Sequence, residues 1–278
     1  MPLISGNEFI WGSRTYSMGI INVTPDSFSN DGILNNIKKI QSKAKLFQSL
    51  GSDIIDVGGE STRPPNIYRN FTPVDENEEI KRVLPAIKAI KDVVSIPISI
   101  DTYKASVAEK ALSAGATIVN NVWSIKNDDK MNAVLSEQKP VIILMHNKKN
   151  SEYINLIDEI YDSLNHMVEN TLKLGIDSDK IIIDPGIGFG KTTNDNLIIL
   201  RHLEKFKEIG HPILIGPSRK STIGNVLNLP VNDRLEGTAA SLAISISKGA
   251  DIIRIHDVKE MNRVAKMSDA IIRGWKNE

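Results

Sequence analysis

MGIINVTPDSFSNDG, residues 18–32, shows the pattern from which most of the chain is built. It begins with a short apolar run, residues 18–21, of the kind that forms a buried parallel strand. The run stops at the carboxamide of Asn22, and a loop rich in hydroxyl and acidic side chains follows, before a helical pattern over about residues 35–50. Such a loop can serve turn chemistry alone, or it can present its side chains to a ligand. This stretch by itself leaves both interpretations open.

The same pattern of apolar run, loop and amphipathic helix recurs seven more times along the chain. In most copies a polar side chain ends the run, and the eight runs end at Asn22, Asp56, Asp101, Asn120, His146, Asp184, Gly216 and His256. Helical patterns between the later runs cover residues 78–91, 105–114, 153–174, 194–207, 234–248 and 258–272. Apolar strands that alternate with helices are typical of a parallel sheet covered on both faces.

Eight such units over about 250 residues predict an α/β fold, a (β/α)8 TIM barrel. A doubly wound open sheet is the alternative, but it does not need a polar residue at the end of nearly every strand. Residues 1–16 are predicted to form a short hairpin that closes the bottom of the barrel, with residues 3–4 and 9–11 as its strands. Since no linker or low-complexity tract follows, residues 1–278 are predicted to form a single domain.

Composition narrows the possible partners and chemistry. Lys plus Arg and Asp plus Glu are both 34, and the formal net charge of zero argues against a nucleic-acid partner or a polybasic membrane contact. The chain has no cysteine, which excludes disulfides, thiolate nucleophiles and Cys-ligated zinc. Neither a signal-peptide pattern nor an apolar run of about 18 residues is present, so a cytoplasmic protein is expected.

In a barrel, the strand ends meet at one mouth, so the polar residues that end the runs are predicted to face one cavity. Asp101, Asn120 and Asp184 suit the N–H donors of a flat amino-heterocycle. A second group offers cations and imidazole for a phosphate or pyrophosphate: Arg63, Arg219, Arg254 and His256. Two alternatives stay open, since Arg63 can be a solvated loop residue and Arg254 can form a structural ion pair inside the barrel.

The segment DPGIGFGKT, residues 184–192, looks at first like a phosphate-binding loop. Its glycine spacing does not match that motif, because the required first position is Pro185. A strand-end carboxylate followed by a loop that presents Phe189 to the mouth is the better interpretation. Asn22, with oxygens of its loop, is predicted to contribute to a Mg²⁺ site, since Mg²⁺ takes few protein ligands beside phosphate and water. No Ser-His-Asp arrangement indicates covalent catalysis.

Eight short segments carry a resemblance to a known family. They are NVTPDSFS at 22–29, DVGGESTRP at 56–64, SIDTYK at 99–104, IVNN at 118–121, LMH at 144–146, DPGIGFGK at 184–191, SRK at 218–220 and RIHDV at 254–258. In this order and spacing they resemble the dihydropteroate synthases, the folate-pathway transferases that join p-aminobenzoate to a pterin. The segments run from the first predicted strand to the last, so the resemblance covers nearly the whole chain.

The resemblance implies a role for each matching residue. The substrates would be 6-hydroxymethyl-7,8-dihydropterin pyrophosphate and p-aminobenzoate, and sulfonamides would compete for the second site. Pterin binding would fall to Asp101, Asn120, Asp184 and Lys220, and pyrophosphate binding to Arg63, Ser218, Arg219, Arg254 and His256. The p-aminobenzoate pocket would comprise Phe28, Thr62, Pro64, Phe189 and Ser221, and Asn22 would ligate Mg²⁺. The catalytic set would be Asp101, Asp184, Lys220, Arg254 and His256.

The resemblance also implies a homodimer, formed through late helices such as residues 258–272. Two other functions compete with the synthase. A pterin-binding methyltransferase would share the carboxylates, but it has no use for the TPDSFS, STRP and SRK loops. A catalytically silent paralogue would bind pterin or a partner protein without turnover, which the intact set of anion- and metal-binding groups disfavours.

Overall fold

A computed structural model of the chain describes residues 3–23, 33–60, 74–122, 128–148 and 150–275, with residues 33–36 by their backbone alone. Within these ranges, eight parallel strands form one sheet. The strands are β3 (Tyr16–Asn22), β4 (Ile54–Gly58), β5 (Ile98–Asp101), β6 (Ile118–Asn121), β7 (Val141–Met145), β8 (Ile181–Asp184), β9 (Leu214–Ile215) and β10 (Ile252–Ile255).

The sheet closes into a barrel. Its strands follow the order β8-β7-β6-β5-β4-β3-β10-β9, so neighbours in the sheet are mostly neighbours along the chain. A parallel bridge between Ile183 and Ile213 brings β8 beside the start of β9, the two ends of that order. Helices lie between the strands along the chain, as a right-handed crossover requires. The predicted (β/α)8 barrel is confirmed.

Nine α-helices lie in the described ranges. They are α1 (Ile33–Ser49), α2 (Glu76–Lys91), α3 (Ala105–Ala114), α4 (Asp129–Gln138), α5 (Leu156–Lys173), α6 (Thr193–Arg201), α7 (Ser221–Leu227), α8 (Leu235–Ser247) and α9 (Val258–Arg273). No helix in this part of the chain has an apolar stretch long enough to cross a membrane.

Two predicted helices differ from those observed. The helix predicted over 194–207 is wrong in its second half, because α6 ends at the His202 cap and a 3-10 helix, Leu203–Ile209, replaces the next turns. Buried Leu203 and Phe206 hold that tighter helix on the core. The helix predicted from residue 153 begins only at Leu156.

The N-terminal strands β1 (Leu3–Ile4) and β2 (Asn7–Glu8) pair antiparallel. The second strand therefore lies earlier than residues 9–11, where it was predicted. Phe9 and Trp11 instead pack on Tyr16, with ring centroids 4.7 and 5.4 Å from it. Ile4 and Phe9 belong to the apolar cluster inside the barrel, so this segment seals the end opposite the mouth.

Strand alternation divides the barrel interior into two layers. Successive side chains of a strand point to opposite faces. Ile54, Ile118 and Ile252 point inward and form an apolar layer near the sealed end. Two residues further along the same strands, the inward positions are polar: Asp56, Asn120 and Arg254. The strands thus carry an apolar floor and, above it, a buried polar layer that opens to the mouth.

Candidate active site

Arg254 on β10 is the centre of the polar layer. Its Nε donates to Asp56 Oδ2 at 2.7 Å, and its Nη2 donates to Asp101 Oδ2 at 2.6 Å. Desolvation disfavours the guanidinium charge, but Asp56 and Asp101 outweigh it and raise the pKa of Arg254. The structural ion pair considered for Arg254 is therefore present. Because this pair lies at the strand ends, it also places the arginine at the mouth.

Each of these two carboxylates has a second oxygen that takes no part in the contact with Arg254. Within the described residues, Asp56 Oδ1 and Asp101 Oδ1 are buried and have no hydrogen-bond partner. Buried acceptors without a donor are costly, and native structures seldom keep them without a reason. A ligand that brings N–H groups into the cavity would satisfy them.

The carboxyl groups of Asp101 and Asp184 are held away from water. Burial raises the pKa of Asp101 to about 7, although Arg254 opposes the rise. Burial also raises the pKa of Asp184 to about 6, against the Gly186 N–H, which donates to Asp184 Oδ1 at 2.7 Å. A donor-rich ligand would favour the ionised form of both groups, so they are poised to respond to binding near neutral pH.

Asn120 and Lys220 complete the pterin residues expected from the resemblance. Asn120 is buried on β6, and its Nδ2 donates to Asp56 Oδ2 at 3.3 Å. Lys220 precedes α7, and its Nζ lies 4.0 Å from the centre of the Phe189 ring. This contact joins the loop after β8 to the loop after β9 at the mouth, in the geometry of a cation–π pair.

Ser218 and His256 form a neutral pair beside Arg254. The Ser218 Oγ lies 3.1 Å from His256 Nδ1 and accepts from the His256 backbone N–H at 3.2 Å. Burial, with Arg254 and Arg219 nearby, lowers the pKa of His256 to about 3. The imidazole is therefore uncharged at pH 7 and offers a hydrogen bond rather than a cation.

Arg219 does not point its charge into the polar layer. Its Nε donates to Asp257 Oδ2 at 2.9 Å, and Nη2 makes a second contact with the same carboxylate. Its backbone has a left-handed φ of 59°, which is uncommon for a residue other than glycine. Ser221 begins α7 two residues later. Neither the left-handed turn nor the Asp257 partner was evident from the sequence.

Asn22, the predicted Mg²⁺ ligand, lies beside this cluster. Asn22 is exposed at the end of β3, beside Gly58, where a side chain on residue 58 would come between Asn22 and Asp101. The described residues contain no group of three or more His, Asp or Glu side chains suited to a metal. Four predicted residues lie outside the described ranges: Phe28, Thr62, Arg63 and Pro64.

Lys191 has a role that the sequence did not suggest. Its Nζ is buried beneath the loop after β8, 2.9 Å from Phe189 O, 3.2 Å from His146 O and 3.0 Å from His146 Nδ1. Burial lowers its pKa to about 7. The amine therefore braces the loop that carries Asp184 and Phe189, which agrees with rejecting a phosphate-binding loop here.

That loop also depends on close backbone contact at Gly186. The residue has a φ of +75°, and a Cβ on it would lie 2.1 Å from the His146 carbonyl oxygen. Since the oxygen belongs to the His146 backbone and a Cβ is fixed directly to the Gly186 backbone, the clash could not be relieved by turning a side chain. Gly210 has a similar φ of +83°, but a Cβ there would meet nothing within 4 Å.

Gly186→Ala is therefore expected to cost much more stability than Gly210→Ala. Gly210→Ala, the matched variant, has only the strain of a left-handed alanine and should lower the free energy of unfolding by about 1 kcal/mol. Gly186→Ala adds the clash, so it is expected to lower the free energy of unfolding by about 3 kcal/mol or more. Urea unfolding of both variants against the parent chain measures the difference. Equal losses would show that the His146 contact has no energetic weight.

The chain matches known proteins over nearly its full length. The family model for the pterin binding enzymes matches residues 18–256. A dihydropteroate synthase of Clostridium beijerinckii is 50% identical over 271 residues, which cover 97% of this chain and 99% of that protein. The dihydropteroate synthase of Bacillus subtilis is 46% identical over 259 residues, covering 93% of this chain and 89% of its own.

Solved structures that are similar to this chain are also dihydropteroate synthases. A Clostridium difficile dihydropteroate synthase crystallised in the presence of pteroic acid has a TM-score of 0.90 and 46% identity, over 96% of this chain and all of that one (100%). A Xanthomonas albilineans dihydropteroate synthase with 4-aminobenzoic acid has a TM-score of 0.86 and 33% identity, over 93% of each chain.

Proposed function

Because the chain belongs to the dihydropteroate synthase family of pterin binding enzymes, we propose that its buried polar layer binds the pterin and that the outer mouth receives p-aminobenzoate. The enzyme condenses 6-hydroxymethyl-7,8-dihydropterin pyrophosphate with p-aminobenzoate, giving 7,8-dihydropteroate and pyrophosphate. The observation that carries the arrangement is a pair of buried oxygens, Asp56 Oδ1 and Asp101 Oδ1, which accept no hydrogen bond from any residue that the structure describes.

The pterin half of the proposal uses Asp101, Asn120, Asp184 and Lys220. A pterin edge has several N–H donors, and Asp101 and Asp184 are buried carboxylates at the ends of β5 and β8. Burial raises the pKa of both carboxyl groups, so the N–H donors of a pterin ring would stabilise their ionised forms. Asn120 can both donate and accept, and Lys220 adds a donor at the rim.

The p-aminobenzoate half rests on Phe189 and Ser221 in the described residues, with Phe28, Thr62 and Pro64 assigned by the resemblance alone. Phe189 is 7% exposed and is covered by the Lys220 ammonium. An aromatic side chain suits this substrate, since its ring can pack on the phenyl group of p-aminobenzoate. Sulfonamides resemble p-aminobenzoate and would compete here.

Pyrophosphate is proposed to bind between Ser218, Arg254 and His256, with Arg63 as a further cation. Arg254 is already charged and held in place by two carboxylates, so its guanidinium needs no reorganisation when an anion arrives. The neutral His256 and the Ser218 hydroxyl add hydrogen bonds. Arg219 is bound to Asp257, so it would act at longer range or exchange that partner for phosphate oxygen.

A Mg²⁺ ion is proposed as the cofactor, with Asn22 as its protein ligand. The exposed carboxamide of Asn22 at the end of β3 fits this role, because Mg²⁺ usually takes one or two protein oxygens and completes its shell with phosphate and water. When bound, the ion would neutralise charge on the pyrophosphate.

The chemistry proposed for these residues is a substitution at the exocyclic methylene of the pterin. The aniline nitrogen forms a bond to that carbon, the carbon–oxygen bond to pyrophosphate breaks with its electron pair, and the amine proton is released. Arg254 and its neighbours stabilise the negative charge that grows on the leaving oxygen. Asp184 and Asp101 stabilise positive charge that develops on the pterin ring, and the buried layer limits attack by water.

The direct test is pyrophosphate release by the purified protein, supplied with the pterin pyrophosphate and Mg²⁺, with and without p-aminobenzoate. Release that depends on p-aminobenzoate, forms dihydropteroate and is suppressed by a sulfonamide would support the proposal. Pterin binding without turnover by folded protein would contradict it and favour a silent paralogue. A methyltransferase would instead show turnover only with a methyl donor.

A homodimer is also proposed, through α8 and α9. These helices pack against each other and leave large apolar side chains exposed, with Ile244 at 50%, Met267 at 63% and Ile271 at 71% exposed. Met267 and Ile271 are four residues apart on one helix, so they share a face. Contiguous apolar surface of this kind is typical of a protein interface. The single domain and the cytoplasmic location remain predictions.

Ile271→Asp is expected to weaken this dimer, because a carboxylate would lose its hydration in the apolar interface. Sedimentation velocity over a dilution series should show the monomer at concentrations where the parent chain is dimeric, with the circular dichroism unchanged. Leu46→Asp is the matched control, since Leu46 is 53% exposed on α1. A parent chain that is monomeric at all concentrations would rule out the dimer.

A further inference from the structure

The loop after β8, residues 185–192, lies directly against the backbone that follows β7. A Cβ on Gly186 would lie 2.1 Å from the His146 carbonyl oxygen. Near the other end of the loop, a Cβ on Gly190 would lie 1.9 Å from the Lys148 carbonyl oxygen. Neither position has room for a side chain, so the two loop backbones are in close contact at two places.

Two side chains fasten this contact. The Lys191 Nζ lies 2.9 Å from Phe189 O within its own loop, and it lies 3.2 Å from His146 O and 3.0 Å from His146 Nδ1 after β7. The Tyr153 hydroxyl, in the loop after β7, donates to the Gly190 carbonyl oxygen at 3.0 Å. Lys191 thus joins the two loops from one side, and Tyr153 joins them from the other.

Lys191 is buried without a charged contact. It is 6% exposed, and its three short contacts are with two carbonyl oxygens and an imidazole nitrogen. A lysine is seldom buried unless it pairs with a carboxylate. The three acceptors match the three N–H donors of an ammonium, so the ammonium is suited to hold backbone in place rather than to neutralise a partner.

A series of hydrogen bonds connects the Lys191 ammonium to the carboxylate of Asp184. The ammonium donates to Phe189 O, and the Phe189 N–H donates to Gly186 O at 3.2 Å. The Gly186 N–H then donates to Asp184 Oδ1 at 2.7 Å. Since this last bond orients the carboxylate, a displaced loop would turn the acceptor that Asp184 presents.

The same loop is in contact with Lys220. The Lys220 Nζ lies 4.0 Å from the centre of the Phe189 ring, and a Cβ on Gly188 would lie 3.0 Å from Lys220 Cδ. The Gly188 N–H donates to Asn196 Oδ1 at 2.7 Å, which fixes the middle of the loop on α6. The position of the loop therefore affects both the rim donor Lys220 and the carboxylate at the end of β8.

We propose that Lys191 and Tyr153 are positioning residues for the pterin: by holding the loop after β8 on the loop after β7, they orient Asp184 and place Lys220. The inference rests on the proposed function, in which Asp184 and Lys220 bind the pterin ring. Lys191 and Tyr153 act through the loop rather than on the substrate. Loss of either one therefore weakens pterin binding without removing a group that binds the ring.

The charge of Lys191 has a second effect on Asp184, which a neutral anchor lacks. Burial lowers the pKa of Lys191 to about 7 and raises that of Asp184 to about 6, and the charge on each group favours the ionised form of the other. Lys220 and Arg254 also favour ionised Asp184, while Asp195 favours and Lys220 opposes the charge on Lys191. Without the ammonium, the pKa of Asp184 should rise further, so pterin affinity should increase only at higher pH.

The variant for the test is Lys191→Met, which keeps most of the side-chain volume but removes the charge and its three donors. Calorimetric titration with the pterin pyrophosphate and Mg²⁺, without p-aminobenzoate, should show a dissociation constant about tenfold higher or more, because small displacements of positioning groups have effects of this size. Circular dichroism establishes a temperature at which the variant is folded. Titrations from about pH 5 to 8 should place the increase in affinity at higher pH than in the parent chain.

Two further variants separate positioning from general damage. Tyr153→Phe removes only the bond to Gly190 O, so it should raise the dissociation constant by about threefold and leave the pH profile unchanged. Lys148→Met is the matched control, because the Lys148 Nζ donates to Glu152 O and to Glu159 Oε2, which lie outside the loop after β8. It should change neither the dissociation constant nor its pH profile.

Parental pterin affinity in folded Lys191→Met would overturn the proposal. So would a weaker affinity with the parental pH profile, since general loosening of the fold would give that result. If Lys191→Met does not fold, Tyr153→Phe decides: a parental dissociation constant in that variant also overturns the proposal. A parent chain that does not bind the pterin pyrophosphate would instead refute the proposed function.

Discussion

Arg254→Met is expected to lower kcat/KM by about 10²–10³-fold, because it removes a fixed donor from the point where negative charge develops. It should also destabilise the fold by about 3–5 kcal/mol, since Asp56 and Asp101 would remain buried without their shared cation. Steady-state kinetics and urea unfolding measure the two losses. They have different causes, so the activity loss should persist at temperatures where the variant is fully folded.

Two further variants show whether the geometry or only the charge of Arg254 matters. Arg254→Lys keeps the charge but cannot reach both carboxylates in a fork, so activity between the parent and Arg254→Met is expected. Arg14 is a matched control, since it makes a two-bonded contact with Asp53 near the N-terminal end of β3, away from the mouth. Arg14→Met should leave kcat/KM close to the parent value. A stable Arg254→Met with parental activity would remove Arg254 from the proposed mechanism.

Asp184→Asn is expected to weaken pterin binding by about 10²-fold, because a charged acceptor is replaced with a neutral amide that presents a donor to a donor. The amide oxygen can still accept from the Gly186 N–H, so the loop should keep its shape. Removal of a buried carboxylate should leave the unliganded protein as stable as the parent or slightly more stable. Calorimetric titration with the pterin substrate and urea unfolding check these two outcomes.

The pH dependence gives the same residue a second test. Burial raises the pKa of Asp184 from 3.8 to about 6, and that of Asp101 from 3.8 to about 7. The ionised groups accept the pterin N–H donors, so affinity should rise with pH between about 5 and 8. Stability of the unliganded protein should change in the opposite direction. The folded chain binds these protons more tightly than the unfolded chain, and this contribution is lost as pH rises from about 4 through 6 and 7.

Asp184→Asn should remove the Asp184 contribution to the pH dependence of pterin affinity and of stability, and it should leave the contribution of Asp101. Asp177→Asn is the control, because that carboxylate is 68% exposed and lies before the N-terminal end of β8, whereas Asp184 lies at the C-terminal end of that strand. It should leave affinity and both pH profiles unchanged. Parental pterin affinity in Asp184→Asn would show that this carboxylate does not receive the ring.

The strand pattern predicted the barrel and its polar cavity, because the ends of parallel strands in a barrel meet at one mouth. Asp56, Asn120 and Arg254 were all placed at the mouth on that basis, and they lie together in the polar layer. The sequence pattern gives no distance between side chains on opposite sides of the barrel. It therefore left open whether Arg254 would pair with carboxylates or stay free for an anion, and the structure shows that it pairs with two.

The contacts of two other side chains could not be predicted from the sequence for the same reason. In the sequence, Lys191 was considered only as part of a possible phosphate-binding loop, which the glycine spacing excluded. Its contacts with Phe189 and His146 depend on how the loop after β8 folds back on β7. Arg219 was grouped with Arg63, Arg254 and His256 as a ligand of pyrophosphate, but its backbone is left-handed and its side chain pairs with Asp257. The prediction of an α-helix over 194–207 was wrong in its second half. The apolar pattern shows that Leu203 and Phe206 are buried, but a 3-10 helix buries them equally well.

The ion pair between Asp56 and Arg254 joins residues 198 positions apart in the chain. Its consequence concerns synthesis on the ribosome. The strands that carry Asp56 and Asp101 emerge first, and these two carboxylates have no guanidinium to share until β10 is made. A nascent chain stopped before β10 would therefore hold most of its barrel wall and none of the neutralised polar layer. We therefore expect a pterin ligand to stabilise the finished chain and to leave a chain stopped before β10 unprotected.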